Sequence, residues 1–186
     1  MSTSSKTITE DDLLRLSAHG NRYELVRGEL RQMSPTGYEH GRCTGNLHVL
    51  LGAHVRRHKL GHVLAAETGF VLERTADGKL TVRAADVAFV AEGRIPEDAD
   101  TTRYLRIAPD LVVETLSPGD AAAEVEEKIS YWIRAGVRIA LTVDPASRSV
   151  TVHRPTAETI RLADGDELDL DEVLFGFRCQ VSEIFD

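Results

Sequence analysis

Between His40 and Lys59, apolar residues recur at Cys43, Leu47, Leu50, Leu51 and Val55. That spacing gathers side chains on one face of an α-helix, and Gly61 supplies the expected stop. A second helix is expected over about Asp120 to Ala135, with Val125, Ile129, Trp132 and Ile133 as its apolar stripe. Ser117-Pro118 would open it, serine as cap and proline in the first turn, and Gly136 would close it. A shorter helix is expected from Thr9 toward Gly20, because Thr9 and Asp12 have the spacing of a capping arrangement.

Runs with strand character fill the spaces between these helices. Tyr23–Val26 and Leu30–Met33 flank Arg27-Gly28 as a hairpin. Val63–Glu73 and Thr81–Val90 are β-rich and separated by Thr75-Ala76-Asp77-Gly78, whose Asp-Gly pair favours a turn between antiparallel strands. Leu111-Val112-Val113 suits a buried central strand, and Ile139–Val143 and Val150–His153 follow. Residues 93–106 read as a surface loop, and the tail as one or two more strands and a turn. Residues 1–8 read as frayed and 9–186 as one domain, a size that can bury a sizeable core.

Two acids interrupt this pattern: Asp86 within Ala85-Asp86-Val87-Ala88-Phe89-Val90, and Glu114 within Val112-Val113-Glu114-Thr115-Leu116. A carboxylate in a strand interior is costly unless a cation, a hydrogen-bond network or solvent lies beside it. Each is read either as a ligand of a divalent cation or as a strand residue facing solvent. Magnesium and similar ions favour such oxygen ligands, commonly taking one or two carboxylates. Lys128, at the edge of the second helix's stripe, could follow the packed face back to the sheet with its ammonium at a polar site. Glu124, four residues earlier, offers it an ordinary helical ion pair instead.

The net charge of −8 argues against a general nucleic-acid coating protein but not against a nuclease, because a basic groove can coexist with an acidic remainder. Arg56-Arg57-His58-Lys59 is a basic cluster that also reads as a charged helix end. The two cysteines, Cys43 and Cys179, lack paired or metal-like spacing and suit a reducing compartment. No run approaches the roughly 20 apolar residues of a membrane span, and the start of the chain is polar, so a cytoplasmic protein without a membrane partner is expected.

Tyr23-Glu24-Leu25-Val26-Arg27-Gly28-Glu29-Leu30, Met33-Ser34-Pro35, His40, Ala85 to Val90, Pro109 to Pro118, Lys128 with Tyr131, Ala135-Gly136-Val137 and Val143-Asp144-Pro145, taken in order, carry a likeness. The chain resembles the Uma-type putative restriction endonuclease family of the PD-(D/E)XK nuclease superfamily. The resemblance implies an α/β (α+β) restriction-endonuclease-like core with a central mixed β-sheet flanked by helices and an N-terminal hairpin. It implies a site dependent on Mg2+ or Mn2+, with DNA as substrate. Asp86 and Glu114 would hold the metal and Lys128 would position the attacking water. Glu24 would extend the metal shell or bind a metal-ligated water, or else pair with an arginine in the hairpin. His40 would contact phosphate or assist proton transfer, or else bond the backbone at a helix start. Ala85 stands where the superfamily pattern has proline, and Leu116 where it has lysine; in this family type the lysine has moved to the following helix.

The leading expectation is thus a metal-dependent endonuclease. A rival of another class is a non-catalytic protein that keeps the nuclease fold as a binding or scaffold module, in a homodimer. A two-carboxylate glycoside hydrolase with Glu114 as acid or nucleophile is a weaker third. Sugar clefts use aromatic platforms, and aromatic residues make up only 5% of this chain.

Overall fold

The computed structural model describes residues 8–18, 22–66 and 68–186. Its elements run α1 (Glu10–Ala18), β1 (Tyr23–Val26), β2 (Glu29–Gln32), α2 (Tyr38–His58), β3 (Gly61–Ala65), β4 (Gly69–Arg74), β5 (Leu80–Ala84) and β6 (Val87–Ala91). There follow β7 (Leu111–Thr115), α3 (Ala122–Ala135), β8 (Ile139–Asp144), β9 (Ser149–His153), β10 (Ile160–Ala163), β11 (Glu167–Asp169), β12 (Arg178–Gln180) and α4 (Ser182–Phe185). The frayed segment expected over residues 1–8 and the helix end expected near Gly20 fall, Ile8 apart, outside the described residues. α1 begins as expected: the Thr9 and Asp12 side chains each accept a hydrogen bond from the other's backbone N–H.

A six-stranded mixed sheet, in the order β10-β9-β8-β7-β6-β3, forms the centre. Only β7 and β8 run parallel, joined by the crossover helix α3; the other neighbours are antiparallel. One face packs Leu111, Val113, Ile139 and Leu141 against Cys43, Leu47, Leu51 and Val55 of α2 and against Leu174, Ile184 and Phe185 of the tail. The opposite face packs Ala88, Val112 and Ala140 against Ile129 and Trp132 of α3. Covered on both sides, β7 is buried at all five positions.

The hairpin β1-β2 belongs to a second sheet, four-stranded in the order β2-β1-β5-β4. This changes the reading of the two long β-rich stretches. Val63–Glu73 divides into β3 and β4, and Thr81–Val90 into β5 and β6, with one strand of each pair in each sheet. The second break, at Ala85-Asp86, has no turn signal because tertiary contacts make it. The Asp86 N–H still donates to Val113 O at 3.1 Å, but its side chain then replaces the backbone as acceptor for the Thr115 N–H at 2.8 Å. Asp86 therefore lies just before β6 and not, as expected, inside a strand.

Three further expectations shift. α2 ends with Lys59 in the left-handed conformation, φ 55°, not at Gly61. Gly61 is glycine for another reason: a Cβ there would lie 2.2 Å from Val90 O across the β3-β6 pairing. α3 begins at Ala122 without a side-chain cap. Ser117 instead forms a turn in which its N–H donates to the Asp120 carboxylate at 2.8 Å. Gly136 does cap α3, with φ 106°. The tail holds three short strands and a helical turn, because Leu168, Leu170, Phe177 and Val181 are needed to close the α2 side of the core.

Leu47 is wholly buried between α2 and this sheet. Leu47→Ala is expected to lower the unfolding free energy by about 2–5 kcal/mol through lost burial and the cavity left behind, measured by urea denaturation.

Candidate functional site

Alternation along β7 turns Val112 and Glu114 toward α3 while Leu111 and Val113 face α2. Glu114 is 7% exposed, so both its oxygens must find partners within the protein. α3 supplies them from one face: Lys128 Nζ donates to Glu114 Oε2 at 2.8 Å, and Trp132 Nε1 to Oε1 at 2.7 Å. Lys128 is thus committed to the sheet, and its helical neighbour Glu124 is not its partner. Trp132, read from the sequence as stripe alone, is also a polar handle. A buried indole needs an acceptor for its N–H, and that requirement was the available signal.

Asp86 approaches from the chain passing into β6. Besides the Thr115 N–H, its Oδ2 meets His40 Nε2 at 3.1 Å. His40 is the third residue of α2 and is buried on its inner face, so the geometry favours a carboxylate partner over backbone bonding at the helix start. Burial opposes protonation of His40, but the hydrogen bond and charge of Asp86, aided by Asp120 and Glu114, hold its pKa above the ordinary value.

Glu24 comes from the other sheet. Its Oε2 accepts from Arg83 Nη1 at 2.7 Å, and its Oε1 from the Ala84 N–H at 3.0 Å. Lys128 Nζ lies 3.4 Å from the same Oε1. The arginine pairing is realised, though with Arg83 of β5 and not within the hairpin, and the approach of Lys128 is an addition. Arg83, 3% exposed, was not visible from the sequence, where it sits unmarked in a strand. All five anticipated residues are drawn together: Lys128 bridges Glu114 and Glu24, His40 joins Asp86, and Asp86 and Glu114 feel each other's charge.

The acids differ in environment. Desolvation is the largest influence on Glu114 and, with the charge of Asp86, raises its carboxyl to about 7 despite Lys128. Desolvation also opposes ionisation of Glu24, but Lys128, Arg83 and the Ala84 N–H together outweigh it and lower the pKa. Lys128 itself is pushed down by burial and, more strongly, up by Glu114 and Glu24, so its ammonium stays protonated.

Among the described residues, no three His, Cys, Asp or Glu side chains form a ready-made metal cluster. A hard divalent cation commonly needs only one or two protein carboxylates, completing its shell with water and substrate. Asp86 and Glu114, two mutually repelling oxygen donors on adjoining chain segments, fit that need. A cavity of about 370 Å³ between α1 and the four-stranded sheet is walled by Leu14, Tyr23, Met33 and Tyr104, and reaches Arg83 and Ala84 but not Asp86, Glu114 or Lys128. No helix of the described residues is long and apolar enough to cross a membrane.

A mixed sheet between helices, with acids at adjoining strand ends and a lysine from the crossover helix, defines the restriction-endonuclease-like class. The chain superposes on the 1.96 Å crystal structure of a putative nuclease belonging to DUF820 from Anabaena variabilis ATCC 29413, with a TM-score of 0.78. The match covers 96% of this chain and 97% of that one at 20% identity, which establishes the fold. The family model Uma2, described as "Putative restriction endonuclease", matches residues 10–182, and the chain belongs to that family. No curated protein matches the chain. Family and fold together support a nuclease.

Trp132→Phe leaves a buried Glu114 oxygen without its donor and is expected to cost at least about 1–3 kcal/mol of stability in denaturant titration. Glu24 is expected to show in the pH profile. Its folded pKa lies below 4.5, so the folded state binds fewer protons than the unfolded one. The stabilisation is full above that value and disappears as pH falls through the folded pKa. The stability gap between the wild type and Glu24→Gln should therefore narrow between about pH 7 and about pH 3 in urea titrations.

Proposed function

We propose that residues 9–186 form one domain that acts as a metal-dependent endonuclease, hydrolysing phosphodiester bonds in DNA. The observation that carries this reading is Lys128, from the crossover helix, bridging Glu114 of the central sheet and Glu24 of the second sheet, at 2.8 and 3.4 Å. Folding stability alone does not call for such a group, since a well-packed apolar cluster would cost less desolvation. Asp86 and Glu114 would hold a magnesium or manganese ion, which would act as a Lewis acid and lower the pKa of a bound water.

The chain's own groups have distinct tasks. Thr115 N–H and His40 fix one Asp86 oxygen, which leaves Oδ1 free of any protein hydrogen bond among the described residues. Trp132 fixes the Glu114 oxygen remote from Lys128. Because its ammonium stays protonated, Lys128 acts as a donor that orients water and stabilises charge growing on the phosphate, and not as a general base. Glu24 keeps Lys128 between two carboxylates. His40, also biased toward its protonated form, holds Asp86 through Nε2, and any contact with phosphate or part in proton transfer would fall to its other ring nitrogen.

Manganese should raise the melting temperature of the wild type and leave Glu114→Gln unmoved. Lys128→Gln, confirmed folded by circular dichroism, should lose plasmid cleavage by about a hundredfold or more. Equal manganese shifts in both proteins, or equal cleavage by the Lys128 variant, would sink the reading in favour of a non-catalytic module.

A further inference from the structure

Three guanidinium groups surround one aromatic ring outside the carboxylate cluster. The Cζ atoms of Arg27, Arg83 and Arg134 lie 5.8, 5.2 and 4.7 Å from the centroid of Tyr131, each within cation–π range. Arg83 points inward and is spent on Glu24. Arg27 and Arg134 are exposed, and among the described residues neither side chain has a hydrogen bond or an ion pair to a carboxylate. Arg15, Arg42, Arg94, Arg148 and Arg178 each hold an acid, whereas exposed Arg56, Arg57 and Arg74 likewise lack one among the described residues; what sets Arg27 and Arg134 apart is the ring they share.

Besides Glu24, which Arg83 holds, the next acid near this group is already shared. Glu127 lies 2.7 Å from Arg31 and 3.7 Å from Arg83, and its carboxyl is held below the ordinary range by Arg31 first, with Arg83 and Arg27 adding to the effect. Arg83 has its charge met by Glu24, although its Nε and Nη2 are buried without a hydrogen-bond partner, so the cations of this group open to a further anion are Arg27 and Arg134. Arg27 moreover occupies the first position of a two-residue hairpin turn at φ 49°, where asparagine, aspartate or glycine relieves the backbone crowding. Like charges gathered on one ring at a sterically costly turn fit an anion that completes the arrangement.

We propose that Arg27 and Arg134, held on Tyr131, form a phosphate subsite that binds the backbone of a nucleic-acid strand beside the Glu114-Lys128 centre. The inference rests on the nuclease reading and adds the path of the strand. Tyr131 follows Lys128 by three residues on the same helical face, and Arg134 follows by six, about 9 Å along the axis. Arginine presents a planar fork of donors matched to phosphate oxygens, and an aromatic face beneath it limits the freedom lost on binding.

The test is fluorescence anisotropy with labelled single-stranded and duplex oligonucleotides, with EDTA present to prevent cleavage. Arg27→Gln/Arg134→Gln should bind about tenfold or more weakly than the wild type, with the slope of log K against log salt smaller by about 1.4 for the single strand or about 1.8 for the duplex. Arg134→Gln alone, at an exposed helix position that does not threaten folding, should give about half that change in slope. Arg178→Gln, which removes a surface charge elsewhere, should bind as the wild type does. In the cleavage assay with metal, the double variant should raise KM and leave kcat unchanged. Wild-type affinity and salt slope in both arginine variants would overturn the subsite while leaving the nuclease reading intact. Failure of the wild type to bind or cleave either oligonucleotide would overturn both.

Discussion

A carboxylate inside a fully buried strand sets the terms for the rest of this molecule. Glu114 cannot reach bulk solvent, and an uncompensated charge there would cost more than a small domain can tolerate. Compensation comes from two side chains one helical turn apart on α3, so the helix must lie in one register over β7. Its crossover position between β7 and β8 and the packing of Ile129 and Trp132 on Val112 and Ala140 supply that register. The solution is incomplete, because one ammonium is divided between two carboxylates while the indole carries no charge. Glu114 consequently has its pKa raised to about 7, a partial frustration that a further cation, on the proposed reading, would relieve.

The same constraint explains why the molecule needs two sheets at this point. Lys128 would be overcommitted to Glu114 without a second acid, and Glu24 arrives on a hairpin belonging to the four-stranded sheet. The hairpin is tied to the centre through β5, whose Arg83 pairs with Glu24 and whose continuation becomes β6 after Asp86. A single run of chain, from Arg83 to Val87, therefore places one acid directly and another through its partner, and joins the sheets as it does so. Its hinge is made by a side chain substituting for the backbone in the ladder, which couples the position of Asp86 to the end of β7.

Much of this was legible as pattern. The apolar faces of α2 and α3 were evident from three- and four-residue spacing, and the Arg27-Gly28 and Asp77-Gly78 turns from local chemistry. Glu114 stood out because acids are rare in such runs, and a resemblance extending along the chain pointed to Glu24, His40 and Lys128, which the fold brings together with Asp86. What could not be read depends on partners distant in sequence. The break at Ala85-Asp86 lacks glycine or proline because Thr115 makes it, and Arg83 acquires meaning only once Glu24, 59 residues earlier, lies beside it. Trp132 was hidden by doing two things at once, since an apolar stripe accounts for its ring without asking where its N–H goes.

If this acidic protein acts on a polyanion, as proposed, it must gather its cations where they count. At physiological ionic strength, charges separated by more than about 8 Å are largely screened, so the net charge of −8 governs solubility and weak repulsion more than it governs contact. Lys128 and Arg134 lie on one helix and Arg27 on the hairpin turn it faces, so on the proposed reading they would act on an incoming phosphate together, while Arg83 is held inward by Glu24. Carboxylates paired one for one with cations elsewhere on the surface contribute little field of their own. On the proposed reading, a local positive region beside a repelling pair of acids separates two functions that are easily confused: the arginines would hold the strand whether or not an ion is bound, and Asp86 and Glu114 would favour the charged metal complex over a bare phosphate, which they would repel.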